Sequence, residues 1–108
     1  MDVQLRRGLL EVCVLAAVER HDSYGYQIIR EMEPFVEISE STLYPILRRL
    51  EAGEMLNVYS VEHSGRLRKY YHLTRKGGVY LKEETKAWQT YSGAVNAVLR
   101  SSAGLSLA

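Results

Sequence analysis

Residues 39–73 read SESTLYPILRRLEAGEMLNVYSVEHSGRLRKYYHL, and this stretch decides the fold. Its first part has a helical period. Leu43, Ile46, Leu47 and Leu50 recur at three- and four-residue steps and form one apolar stripe. Ser39 or Ser41 caps the start, and Gly53 supplies the stop. Pro45 falls early in the helix, where a missing N–H removes few hydrogen bonds, and some local distortion is expected there. After Gly53 the period changes. Residues 56–62 and 67–73 are rich in Val, Tyr and Leu and flank His63-Ser64-Gly65-Arg66, with Gly65 as the left-handed turn residue. That pattern is a β-hairpin.

Working outward, residues 3–20 form a first helix. Leu5, Leu9, Val12, Cys13, Ala16 and Ala17 make one stripe, while Leu10, Val14, Leu15 and Val18 make a second apolar side. A helix this apolar packs on more than one neighbour. His21-Asp22-Ser23 offers caps for a second helix over 24–33, whose inner face is Gly25, Ile28, Ile29 and Met32 and which Pro34 stops. After the hairpin, Thr74 caps a long helix of about 75–100, some 39 Å at about 1.5 Å per residue. The expected organisation is thus 1–74, 75–100 and a frayed, flexible tail over 101–108. Three helices, a hairpin and a further helix give a mainly α chain in winged helix-turn-helix order.

Composition narrows the function. The chain has 108 residues, 46% hydrophobic and 25% charged, which suits one globular domain and excludes disorder. A single cysteine, Cys13, rules out an intrachain disulfide and suits a reducing, cytoplasmic setting. Cys13 is expected in the core. The longest apolar run, Val12 to Val18, is far too short to span a membrane. Met1 is followed at once by polar and charged residues, so no signal peptide is expected. His21, His63, His72 and Cys13 lack metal-ligand spacing, so no metal and no cofactor is expected. Neither a phosphate-binding glycine loop nor a nucleophile–base arrangement is present, and no catalytic residue is expected.

Net charge is only +1, but the total hides an asymmetry. Residues 19–40 set Arg20 and Arg30 against Glu19, Asp22, Glu31, Glu33, Glu37 and Glu40, a net −4. Residues 57–76 set Arg66, Arg68, Lys69, Arg75 and Lys76 against Glu62, a net +4. The hairpin is therefore the basic part of the chain, which matters more for polyanion binding than the total does.

On a helical wheel at about 100° per residue, Arg48 lies about 140° and Ser41 about 160° from the inward Leu43. Arg49 also points outward, and Thr42 and Tyr44 flank the face. Hydroxyls and two guanidinium groups can bond phosphates or base edges in a major groove. Beside them Arg66, Arg68 and Lys69 suit a wing on phosphates or in a minor groove. A winged-helix module that binds protein rather than DNA has the same element order, and salt dependence separates the two.

Three ordered pieces carry a more specific likeness: Tyr24-Gly25-Tyr26-Gln27-Ile28, Ser41-Thr42-Leu43-Tyr44-Pro45-Ile46-Leu47-Arg48-Arg49-Leu50-Glu51, and Gly65-Arg66-Leu67-Arg68-Lys69-Tyr70-Tyr71-His72-Leu73-Thr74, followed by Lys76-Gly77. With them the chain, over about residues 5–100, resembles the PadR family of transcriptional regulators, in its short form with one C-terminal helix. Leu67 stands where the family usually has proline. The resemblance implies a dimeric repressor that binds an inverted repeat and leaves it when an effector arrives. It implies DNA contacts at Ser41, Thr42, Tyr44 and Arg48, wing contacts at Arg66, Arg68 and Lys69, and phosphate contacts at Tyr24 and Gln27. Leu81, Trp88, Tyr91, Val95 and Val98 have heptad-like spacing and need a partner, which the resemblance makes a second subunit. Trp88 and Tyr91 fit two roles: dimer core, or a platform for a small aromatic or hydrophobic effector.

Overall fold

The computed structural model describes residues 2–106. The order is α1 (Val3–Arg20), α2 (Gly25–Met32), α3 (Glu40–Ala52), β1 (Leu56–His63), β2 (Arg66–Leu73) and α4 (Arg75–Ser106). The expected winged-helix order is therefore the observed one. One core holds it together: Val14, Leu15 and Val18 of α1, Ile28 of α2, Leu43, Ile46 and Leu47 of α3, and Leu56 of β1 are all essentially buried.

The carboxylate of Asp2 caps α1, accepting from the amides of Gln4 (2.9 Å) and Leu5 (3.2 Å). Of the two apolar sides of α1, the one carrying Leu10, Val14, Leu15 and Val18 faces the core. The stripe with the cleaner period is only partly buried: Leu5 is 54% exposed and Ala16 exposed, Leu9 and Val12 are half-buried, and Ala17 is in the core. Cys13 is likewise half-buried at the edge of the core rather than inside it, and burial pushes its thiol up from the ordinary value. Two apolar sides on one helix are equivalent to a wheel; only the elements packed on α1 choose between them.

His21-Asp22-Ser23 does not cap α2, contrary to expectation, for Tyr24 occupies the cap position without a side-chain bond. These residues are spent on tertiary contacts instead. Ser23 is fully buried, its hydroxyl donates to the His21 carbonyl (3.0 Å), and its backbone exchanges two hydrogen bonds with Tyr71 (3.2 and 2.8 Å). This short antiparallel bridge joins the turn before α2 to the wing.

Ser39 caps α3 by accepting from the Thr42 amide (3.3 Å), and the helix runs unbroken through Pro45. It ends at Ala52 with Gly53 as the cap, as expected. Gly53 keeps a negative φ (−83°), and the left-handed residue is Glu54 (φ 61°). The Met55 amide then bonds the Leu50 carbonyl and the Glu54 amide bonds the Glu51 carbonyl, both at 2.9 Å. That pair of bonds is a Schellman termination, with a glutamate in the place glycine usually takes.

β1 and β2 pair antiparallel from Leu56↔Leu73 to His63↔Arg66. Ser64 (φ 52°) and Gly65 (φ 79°) both lie in the left-handed region, so the connection is a two-residue type I′ turn. Gly65 has the conformation expected of it.

Thr74 caps α4 as expected. Its hydroxyl accepts from the Gly77 amide (2.9 Å) and donates to the Glu54 carbonyl (2.7 Å), and its own amide bonds the Met55 carbonyl (3.1 Å). Gly77 must be glycine: a Cβ there would overlap the Met55 carbonyl oxygen and come within 3.0 Å of its carbon. α4 continues to Ser106, past the expected end at residue 100, so the region expected to fray is helical as far as it is described. Residues 107–108 of the expected tail lie outside the described residues. At 32 residues, α4 is about 48 Å long. It carries the radius of gyration to 17.0 Å, against about 13 Å for a compact chain of this size.

Gly77→Ala is expected to lower stability by about 1–3 kcal/mol, because backbone has to move. Gly78→Ala, whose added Cβ meets nothing closer than 3.8 Å, serves as the control and should be close to neutral. Glu54→Gly should raise stability by up to about 1 kcal/mol by relieving the left-handed penalty. Urea unfolding of the three variants beside the parent checks these signs.

Candidate nucleic-acid interface

The outer face of α3 is built as the wheel suggests, with one exception. Ser41, Tyr44 and Arg48 are exposed and Thr42 is half-buried. The Ser39, Ser41 and Thr42 hydroxyls cluster at the helix start, with Ser39 Oγ 3.0 Å from Ser41 Oγ and 3.1 Å from Thr42 Oγ1. Arg48 forms no ion pair among the described residues. Arg49 is the exception. Its Nε (3.0 Å) and Nη2 (2.9 Å) both donate to Glu11 on α1, so this guanidinium braces two helices rather than facing outward freely. Half-exposed on both sides, the pair contributes no more than about 1 kcal/mol.

The Tyr44 phenol lies across Gly25. A Cβ at Gly25 would overlap the Tyr44 hydroxyl and stand 2.9 Å from Cζ. The Tyr-Gly-Tyr and Leu-Tyr-Pro pieces of the sequence, about twenty residues apart, are thus two halves of one contact.

Between these elements and the wing runs an open cleft of about 740 Å³. Tyr24, Gly25, Tyr26 and Tyr44 form one side; Arg66, Arg68 and Lys69 form the other. Gln27 is half-buried on α2 and does not line it. The three wing cations are not equivalent. Arg66 and Lys69 are exposed, and Leu67 stands out between them at the tip. The Arg68 guanidinium sits 4.0 Å over the Tyr24 ring, a cation–π contact that braces the wing while its edge still faces the cleft.

Behind the cleft is a ladder of side chains that the sequence motifs do not reveal. Tyr24 meets Tyr70 edge-on (5.5 Å), and Tyr70 stacks on Tyr59 (5.7 Å). The Tyr59 hydroxyl donates to Asp22 Oδ2 (2.6 Å), and His72 Nδ1 lies 2.8 Å from Asp22 Oδ1. The hydrogen bond from Tyr59, and then that from His72, hold the Asp22 carboxyl below its ordinary value; the same bond raises the Tyr59 phenol. One signal was available in advance. A two-residue turn at Ser64-Gly65 fixes the register and puts Tyr59 directly opposite Tyr70. No sequence signal pointed to Asp22.

Elsewhere, His21 Nε2 lies 2.9 Å from Glu31 Oε1, and its pKa is raised by the Asp22 carbonyl and by Glu31. No metal-binding cluster occurs among the described residues. Along α4, Leu81 is only 4% exposed and belongs to the core of its own chain, not to a seam between chains as expected. The first turns of α4 lie on α1 and bury it. Further along, Trp88 (47%), Tyr91 (69%), Val95 and Val98 (65%) are exposed. Trp88 and Tyr91 share a groove of about 330 Å³ with Leu5, Leu9 and Val12 of α1.

A basic wing set beside a polar third helix, with a long helix behind, defines a winged-helix protein. Comparison with known proteins gives the family. The PadR-like family of transcriptional regulators matches over residues 14–83, and the chain belongs to it. A Streptococcus mutans protein of known structure shares 46% identity, with a TM-score of 0.77 over 85% of this chain and 87% of that one. A PadR-like transcription factor from Bacteroides fragilis shares 36% (TM-score 0.78; 88% and 94%). A PadR-family regulator from Eggerthella lenta shares 33% (TM-score 0.81; 90% and 87%). An uncharacterized protein of Lysinibacillus sphaericus is 38% identical over 87 residues, 76% of this chain and 80% of that protein. The family is one of transcription regulators, not enzymes. No described helix is long and apolar enough to cross a membrane.

Asp22→Asn should loosen the wing and speed amide exchange in β1 and β2 more than in the α1–α3 core. The pH dependence has a definite sign. A depressed folded-state pKa means that the Asp22 contribution is complete above its ordinary value of 3.8 and fades as pH falls through the lowered one. The stability gap between parent and Asp22→Asn should therefore close on acidification. A gap that widens at low pH contradicts the assignment.

Proposed function

We propose that this chain is a homodimeric repressor that grips an inverted-repeat operator with α3 and the wing. The observation that carries the reading is the cleft itself. It has Tyr44 of α3 on one side and the exposed cations Arg66 and Lys69 on the other, which supports a duplex meeting both elements. In this reading Ser41, Thr42, Tyr44 and Arg48 reach base edges and nearby phosphates from the major groove. Arg66, Arg68 and Lys69 hold the flanking backbone, and Tyr24 and Gln27 add phosphate contacts from α2. Family membership supports DNA as the partner and the cytoplasm as the place.

The dimer rests on α4. Trp88, Tyr91, Val95 and Val98 remain outside the chain's own core, and on α1 Leu5 is exposed while Leu9 and Val12 are only half-buried. Two such surfaces related by a two-fold axis cover each other, and a symmetric dimer suits a palindromic site. The groove shared by Trp88 and Tyr91 is the place for a flat hydrophobic effector, which would act by changing the spacing of the two recognition helices. The repressor role follows the family resemblance.

Arg48→Ala is expected to weaken binding to a duplex recovered by selection from random DNA by about 1–3 kcal/mol, the worth of one bidentate pair to a base, with the dimer intact by sedimentation. Gel-shift affinities unchanged by this substitution remove Arg48 from the interface. Binding of the parent should weaken steeply with salt, whereas a protein-binding module need show no such dependence. Titration with planar aromatic compounds should quench Trp88 fluorescence; a broad panel without quenching leaves Trp88 as dimer core alone.

A further inference from the structure

We infer that Arg6 and Arg7, on α1, form a third phosphate-binding element beside the start of α3. This inference rests on the DNA-binding reading above. Its observation is a shallow cleft of about 280 Å³ in which Arg6 and Arg7 share the lining with Ser41, Thr42 and Pro45. The hydroxyls that open the recognition helix therefore have two guanidinium groups as neighbours, contributed by a different helix far away in sequence.

Both arginines are exposed, and the acid that helix geometry would give each of them is engaged elsewhere. Residues four apart on a helix are neighbours, so Asp2 is the natural partner of Arg6 and Glu11 of Arg7. Asp2 instead caps α1, its Oδ1 accepting from both the Gln4 and Leu5 amides. Glu11 is held by Arg49 at 2.9 and 3.0 Å. Among the described residues neither Arg6 nor Arg7 forms an ion pair. The first turn of α1 holds no acid, and positive charge near a helix N-terminus gains nothing from the backbone dipole. Two unpaired guanidinium groups there do little for the fold. They suit a ligand that brings its own negative charge.

The phosphodiester backbone of a duplex is that ligand. With α3 in a major groove, the bordering strand passes the opening of the helix, where Ser41 and Thr42 already stand. Arg49 lines the same cleft and, through Glu11 Oε1, partly offsets the charge of the carboxylate nearest Arg7. The surface that meets DNA thus has three parts, with Arg6 and Arg7 on the side of α3 away from the wing.

The test uses the full chain and a duplex recovered by selection from random DNA. Arg6→Ala/Arg7→Ala should reduce affinity by about 10–100-fold at moderate salt and lower the salt-dependence slope by about 2 per subunit. Arg6→Lys/Arg7→Lys should keep most of both, because a phosphate accepts a point charge. Circular dichroism and sedimentation confirm fold and assembly. Should the alanine variant fail to fold, phosphate-ethylation interference on the parent and the lysine variant decides, with affected phosphates expected beside α3 on the side away from the wing. Unchanged affinity and slope in the alanine variant, while Arg66→Ala/Lys69→Ala still weakens binding, overturn this inference and leave the DNA reading standing. A parent chain that binds no duplex overturns both.

Discussion

The peptide of Met55 is the joint on which the structure depends. Its amide closes the end of α3 on Leu50, and its carbonyl receives the Thr74 amide at the end of β2. The first turn of α4 then passes so close to that carbonyl that only glycine fits at residue 77. α3, the wing and α4 are thereby fixed to one another through backbone, which has few ways to yield. A change in the pitch of α4 reaches α3 and the wing through this joint and also through α1, on which α4 packs. That makes it a short mechanical link between α4 and the surface formed by α3 and the wing.

The wing has a second attachment on its other side. Ser23 bridges Tyr71, Asp22 holds Tyr59 and His72, and Arg68 lies on Tyr24. An isolated two-stranded hairpin is marginal in water. This one gains its order from the turn before α2, and each contact also limits how far the wing cations can swing. Of the cations along the wing, one is partly consumed as a brace and two remain outward. The same division appears on α3, where Arg49 is a brace and Arg48 is outward. In both places one guanidinium serves the fold and its neighbour is left for a ligand.

Much of this was legible in the sequence. The period of Leu43, Ile46, Leu47 and Leu50 and the Ser-Gly turn between two Val- and Tyr-rich runs are local signals, and they placed α3, β1 and β2 to within a residue or so. The outward placement of Ser41 and Arg48 followed from the same period, with Tyr44 on the flank. The departures from expectation have a common cause. The His21–Ser23 turn has the composition of a helix cap but is used for tertiary bonds. Leu81 fits the α4 stripe, but α1 reaches it first. In each case local chemistry offered two uses, and a distant segment took one of them.

The sequence by itself therefore determined which elements form and which residues point away from the core, because period, capping and turn chemistry act over a few residues. Only the tertiary structure decided which of two apolar sides of α1 is buried, which arginines are engaged and which are left unpaired, and that Gly25 and Tyr44 are one contact. Those outcomes depend on which groups meet across long stretches of chain. A guanidinium exposed on a helical wheel is available to a ligand only if no carboxylate from another helix has already taken it.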